Sequence, residues 1–173
     1  MLRRNFRAVS IIGALVLTAL STGPAMADET PVTFVVTGGS LTISAPTAVT
    51  HLGTHSSNGV VSGPLGEVHV NDARGSAATS GWVASVVSTD FTTASGPPIP
   101  ASAVSYSAGA ISRTGTSTVV SNDPGDLSSL TAAVTATSVT GNNSATWTPT
   151  ISVTVPVDAV AGAYSATITH SVA

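Results

Sequence analysis

Tyr164-Ser165-Ala166-Thr167-Ile168-Thr169-His170-Ser171-Val172, near the end of the 173-residue chain, decides the fold class. Tyr164, Ala166, Ile168 and His170 recur at every second position, with Ser165, Thr167, Thr169 and Ser171 between them. Side chains of an extended strand point alternately to opposite faces, so this order predicts a strand with one buried face. Working outward, the same period returns in Val32-Thr33-Phe34-Val35-Val36, Leu41-Thr42-Ile43 and Val68-His69-Val70. It returns again in Trp82 to Val87, Val104-Ser105-Tyr106, Ala133 to Thr137 and Trp147 to Val155. Val, Thr and Ile are branched at Cβ and pack well on a pleated surface, while strong helix formers are scarce.

Turn chemistry separates these runs. Thr37-Gly38-Gly39-Ser40 predicts a hairpin turn between the first two strands. Gly63-Pro64, Asn122-Asp123-Pro124-Gly125, Gly141-Asn142-Asn143 and Ala161-Gly162 predict further breaks. Gly96 to Pro100 holds too many prolines for a central strand, and Asp126 to Leu130 reads as one short helical turn. About eight to ten strands at these intervals predict an all-β fold, a two-sheet antiparallel Ig-like β-sandwich. The alternation runs from Val32 to Val172 without a linker or a fixed-period repeat, so residues 28–173 are expected to form one domain.

The N-terminus points to the compartment. Arg3, Arg4 and Arg7 precede an apolar run from Ile11 to Leu20, Gly23-Pro24 breaks it, and Ala25-Met26-Ala27 follows. That is the layout of a secretory signal peptide over residues 1–27, so the mature chain is expected to begin at Asp28. The apolar run is shorter than the roughly 20 residues a spanning helix needs, and no second such run follows. Beyond Ala27 only Arg74 and Arg113 stand against eight acids, a net charge of −6. Nucleic-acid binding needs a field of Lys and Arg to displace phosphate counterions, and attraction to anionic lipid needs the same. Both are excluded. Cys and Lys are absent, which removes disulfides and lysine isopeptide cross-links. No Leu-Pro-x-Thr-Gly signal occurs, so covalent sortase anchoring is not expected.

Few residues suggest chemistry. Leu65 to Gly75, with Asp72, Ala73, Arg74 and Gly75 at its end, reads as a strand entering a turn, and Gly81-Trp82 opens the next strand. Asp72 can accept from turn amides and Arg74 can fork onto a carboxylate or a carbonyl. Locking that turn is the favoured role, and ligand contact the alternative. With only two Trp, two Tyr and three Phe in the chain, Trp82 and Trp147 are expected to anchor the core, a sugar-stacking platform being the alternative. His51 and His55 lie in a Gly- and Ser-rich stretch, and His69 and His170 stand singly in strand patterns, so no metal site is expected. His69 is expected to face away from Val68 and Val70. No Gly-x-Ser-x-Gly elbow, paired-carboxylate cleft or phosphate-cradling glycine loop appears, so neither catalysis nor a cofactor is expected. Asn142-Asn143-Ser144 matches a glycosylation acceptor, but a turn is the simpler reading.

Leu65 to Gly75, Gly81-Trp82, Trp147, Pro156 and Gly162-Ala163-Tyr164, in that order, resemble the WxL domain of Gram-positive surface proteins. Val32 to Ile43 resembles that family's opening hairpin, so the likeness spans most of the chain beyond Ala27. The namesake Trp-x-Leu is missing: the chain has Trp82-Val83-Ala84 and Trp147-Thr148-Pro149, which makes it a divergent, WxL-like member. The resemblance implies a secreted, non-catalytic β-sandwich held non-covalently at the cell wall, with peptidoglycan or another wall polymer as ligand and other surface proteins as further partners. Trp82, Trp147, Asp72, Arg74 and Tyr164 are the candidate ligand-binding residues. The alternative function is a structural or adhesive subunit that pairs with copies or partners through exposed strand edges.

Overall fold

The structure, a computed structural model, describes residues 30–47 and 51–173, without the side chains of Ala78 and Thr79. The expected signal peptide, residues 1–27, lies outside the described residues. The chain divides into two units, Met1–Val35 and Val36–Ala173. In the first, the described residues form no regular element.

The second unit is all-β, with one 3₁₀ turn at Ala101–Ala103. Its strands are β1 (Leu41–Ser44), β2 (Gly59–Pro64), β3 (Val68–Ser88), β4 (Val104–Ser107), β5 (Ile111–Ser121), β6 (Thr131–Trp147), β7 (Thr150–Val155) and β8 (Ile168–Val172). Five form an antiparallel sheet in the order β1-β3-β6-β5, with β8 also paired to β3. β1 lies along His69 to Asp72 and β8 along Ala84 to Ser88, both on the side of β3 away from β6. The second antiparallel sheet is β2-β7-β4.

One apolar core joins the two sheets, as the alternation predicts for a sandwich. Val68, Val70, Trp82, Ala84 and Val86 of β3 and Val134, Ala136, Val139, Ala145 and Trp147 of β6 are buried with Val104 and Tyr106 of β4 and Ile151 and Val153 of β7. The strand expected from Tyr164 begins only at Ile168, Tyr164 to Thr167 forming just an isolated bridge between Ser165 and Thr92; within β8, Ile168 and His170 turn inward and Thr169 outward, in the predicted register.

Several local expectations are corrected. Val32 to Val36 forms no strand, and Val32, Phe34, Val35 and Val36 are 79–88% exposed. Thr37 to Ser40 makes no hairpin: the Gly39 amide donates to the Ala73 carbonyl at 2.6 Å and the Ala73 amide to Ser40 at 2.9 Å, so this stretch extends β1 along β3. A Cβ on Gly39 would meet the Ala73 side chain at 2.9 Å, so glycine permits the approach. Asp126 to Leu130 is not helical: the Leu127 amide donates to the Ala101 carbonyl and the Leu127 carbonyl accepts from the Ser88 amide, so its backbone is committed outside the segment, and the Asp126 carboxylate accepts from the Ser128 amide in a turn. Asp72 to Gly75 and Gly141 to Asn143 do not separate strands. They are irregular stretches inside β3 and β6, where the register shifts between Asp72 and Trp82. Each of these glycines sits at positive φ, Gly75 at 64° and Gly141 at 67°, which lets the strand kink and continue. Two strands carried no clear signal, β2 and β5. β5 is an edge strand exposed from Ser112 to Thr116, so it carries no apolar alternation there.

Candidate functional site

The bulged part of β3 carries the most organised polar group in the described residues. Between Asp72 and Ser76, and again between Ser76 and Ser80, β3 spends more residues than β6 does opposite it. The excess forms a bulge across which Arg74 reaches Gly81. Arg74 donates from Nε to Asp72 Oδ1 at 2.9 Å, and from Nη2 to Asp72 Oδ2 and to the Gly81 carbonyl, both at 3.0 Å. The Arg74 backbone amide also donates to Asp72 Oδ1, at 3.1 Å. Gly81 allows the pairing to resume, since a Cβ there would lie 2.5 Å from the Ala136 carbonyl oxygen.

Beneath the bulge, Asn143 of β6 links the carboxylate to the core. Its Nδ2 donates to Asp72 Oδ2 at 3.1 Å, and its Oδ1 accepts from Trp82 Nε1 at 3.0 Å. Asp72 is wholly buried and Asn143 is 4% exposed, so each lone pair must find a donor inside the protein. The Arg74 hydrogen bonds, helped by its backbone amide and by Asn143, hold the Asp72 carboxyl below the usual carboxylate range despite burial. The same pairing raises the Arg74 guanidinium above its ordinary value. Next to it, the Asn142 side chain accepts from the Gly75 amide at 3.1 Å, which gives the first residue of the glycosylation-like tripeptide a structural task.

A second polar chain crosses the core. Trp147 Nε1 donates to the Tyr106 hydroxyl at 2.8 Å, and that oxygen lies 3.2 Å from His170 Nε2. With the indole donating inward, the phenol proton is free to go to Nε2, which requires a neutral imidazole protonated at Nδ1. Burial pushes the Tyr106 phenol up to about 12 and lowers His170, which fits that protonation pattern. Tyr164 is separate from both chains. Its hydroxyl accepts from the Val160 amide and donates to the Val160 carbonyl, both at 3.1 Å, closing the corner around Gly162 in the manner of a tyrosine corner.

The five sequence candidates therefore fall in three places. Asp72, Arg74 and Trp82 meet in one network, Trp147 joins the second, and Tyr164 closes a corner. Trp82 and Trp147 are 2% and 1% exposed, and neither presents a ring face to solvent. Sequence reasoning missed Asn143 and Tyr106. The signal for Asn143 was its step with Ala145 and Trp147, every second residue on the buried face of β6. His69 faces away from buried Val68 and Val70 and pairs with Thr146 at 2.8 Å. Among the described residues, no three His, Cys, Asp or Glu side chains converge, and no helix is long and apolar enough to cross a membrane.

Tyr164 also lines an open cleft of about 1240 Å³ at one side of the sandwich. Ile151, Val153 and Val155 of β7 line it with Val61 and Leu65. No Asp, Glu or Arg lines it among the described residues. No protein-family model, curated protein or solved structure matches the chain.

Proposed function

We propose that the protein is a secreted, non-catalytic WxL-like domain that binds the cell wall non-covalently, with peptidoglycan as the ligand. The observation that supports this reading is the convergence of the motif block: Asp72, Arg74, Gly81 and Trp82 are joined through Asn143 into one hydrogen-bonded unit. Spacing that serves a single built feature is more than a composition accident. In this reading the network fixes the scaffold, and wall contact belongs to exposed sheet surface and loops, such as the hydroxyl-rich stretch Ser112 to Thr116 of β5.

The charge makes a testable demand. A mature domain at −6 meets an anionic wall through short-range contacts made against long-range repulsion. The test is co-sedimentation of the purified chain with peptidoglycan sacculi at low and high salt. The protein pellets with sacculi, and more of it pellets as salt rises. A folded protein that stays in the supernatant under both conditions refutes wall binding, and retention that falls with salt refutes the account of its charge.

A further inference from the structure

We propose that Val32–Val36 is a donor strand that enters the side cleft of a second copy of this chain and pairs beside β2. The donor half rests on exposure. Val32, Phe34, Val35 and Val36 are 85%, 85%, 88% and 79% exposed, yet their sequence alternates as a strand does. Contiguous large apolar side chains left in water mark an association surface. Among the described residues, Val32 to Val36 makes no backbone hydrogen bond, which leaves it a template for strand addition.

The acceptor half rests on the cleft. Among the described residues β2 is an edge strand paired with β7 alone, and its Val61 lines the cleft with Leu65, Val153 and Val155. β2 spans Gly59–Pro64, long enough to pair with a five-residue donor. The donor is an uncharged occupant. Thr30 to Ser40 carries no ionisable side chain, and among the described residues the cleft is lined by His51, His55 and His170 but by no Asp, Glu or Arg. The donor therefore brings no formal charge of its own out of water when it is buried there. A second copy supplies donor and acceptor at once, and reciprocal exchange gives a closed two-fold dimer while one-way exchange gives a chain of copies.

The test starts with sedimentation velocity of the purified chain over a concentration series, beside Phe34→Asp. Wild type associates with rising concentration, and Phe34→Asp stays monomeric with unchanged circular dichroism. The chain has no cysteine, so contact can then be located by mixing single-cysteine copies under mild oxidation. Phe34→Cys mixed with Val61→Cys gives the mixed disulfide several-fold faster than Phe34→Cys mixed with Thr118→Cys on β5. A wild type that remains monomeric overturns the proposal, as does association that Phe34→Asp leaves intact. Equal cross-linking to Val61→Cys and Thr118→Cys overturns the cleft as acceptor. None of these measurements involves the wall, so their outcome is independent of peptidoglycan binding.

Discussion

Asn143 is small and neutral, yet it joins the two largest polar commitments of the five-stranded sheet. One end of its amide satisfies the Trp82 indole and the other satisfies Asp72 Oδ2, and both partners are buried. A buried donor or acceptor left without a partner costs about 1–3 kcal/mol, more when it is charged. Asn143→Ala deprives both partners at once, so we expect a loss of about 2–4 kcal/mol in urea unfolding with the slope unchanged. Trp82→Phe keeps most of the buried ring and strips only one partner from Asn143, so its loss is expected to be smaller. If Asn143→Ala unfolds at the wild-type midpoint, the bonds drawn through this amide contribute nothing. Tyr164→Phe tests the corner in the same way: two bonds to Val160 vanish, at a cost of about 1 kcal/mol each or less because the site is partly solvated.

At the scale of the element, β3 is a strand that bulges and resumes its pairing, and Arg74 ties the two ends of the bulge. Its guanidinium holds Asp72 at the start of the excursion and the Gly81 carbonyl at its end. Arg74→Ala frees the stretch between them and leaves the Asp72 carboxylate with Asn143 as its remaining side-chain partner. We expect amide exchange to accelerate from Ala73 to Gly81 while Val83 to Val86, paired with β6 and β8, keep their protection. Uniform acceleration across β3 would mean that Arg74 supports the whole sheet instead. This element also marks where sequence reading stops. The alternations at Val68-His69-Val70 and Ile168-Thr169-His170 made the sheets legible because burial of one face writes a period of two. Asp72 and Arg74 were legible as a pair because they are two residues apart. Trp82 and Asn143 were not legible as their neighbours, since bulges at Gly75 and Gly141 decide which distant residues meet, and glycine in a sequence announces equally a turn or a kink. Val32 to Val36 carries the strand period but no strand, because period two records a capacity to pair and not the presence of a partner.

For the whole molecule, a few hydrogen-bonded or buried ionisable groups confine stability to a window of pH. Asp72 and Asp123 have lowered pKa values, held by Arg74 and by Ser121 with the Ala108 amide respectively. The unfolded chain therefore binds more protons there, and their contribution, present above about pH 3.9, is lost as pH falls further. His170 acts in the same direction but earlier. Its pKa is lowered by burial, so an unfolded imidazole near 6.5 takes its proton first and stability declines as pH drops below that value. Tyr106 closes the window from above. Its phenol is raised to about 12, so below pH 10 both states keep the proton, and above it the unfolded chain ionises first. A phenol moved from about 10 to about 12 corresponds to about 3 kcal/mol lost across that interval. Unfolding midpoints are thus expected to plateau between about pH 7 and 10 and to fall on both sides. Tyr106→Phe removes the acceptor of the Trp147 indole, so it lowers the whole plateau, but it also removes the group that titrates and flattens the alkaline limb. The slope above pH 10, not the height of the plateau, is therefore the measurement that isolates Tyr106. An alkaline limb equally steep in wild type and Tyr106→Phe would place the titration elsewhere in the molecule.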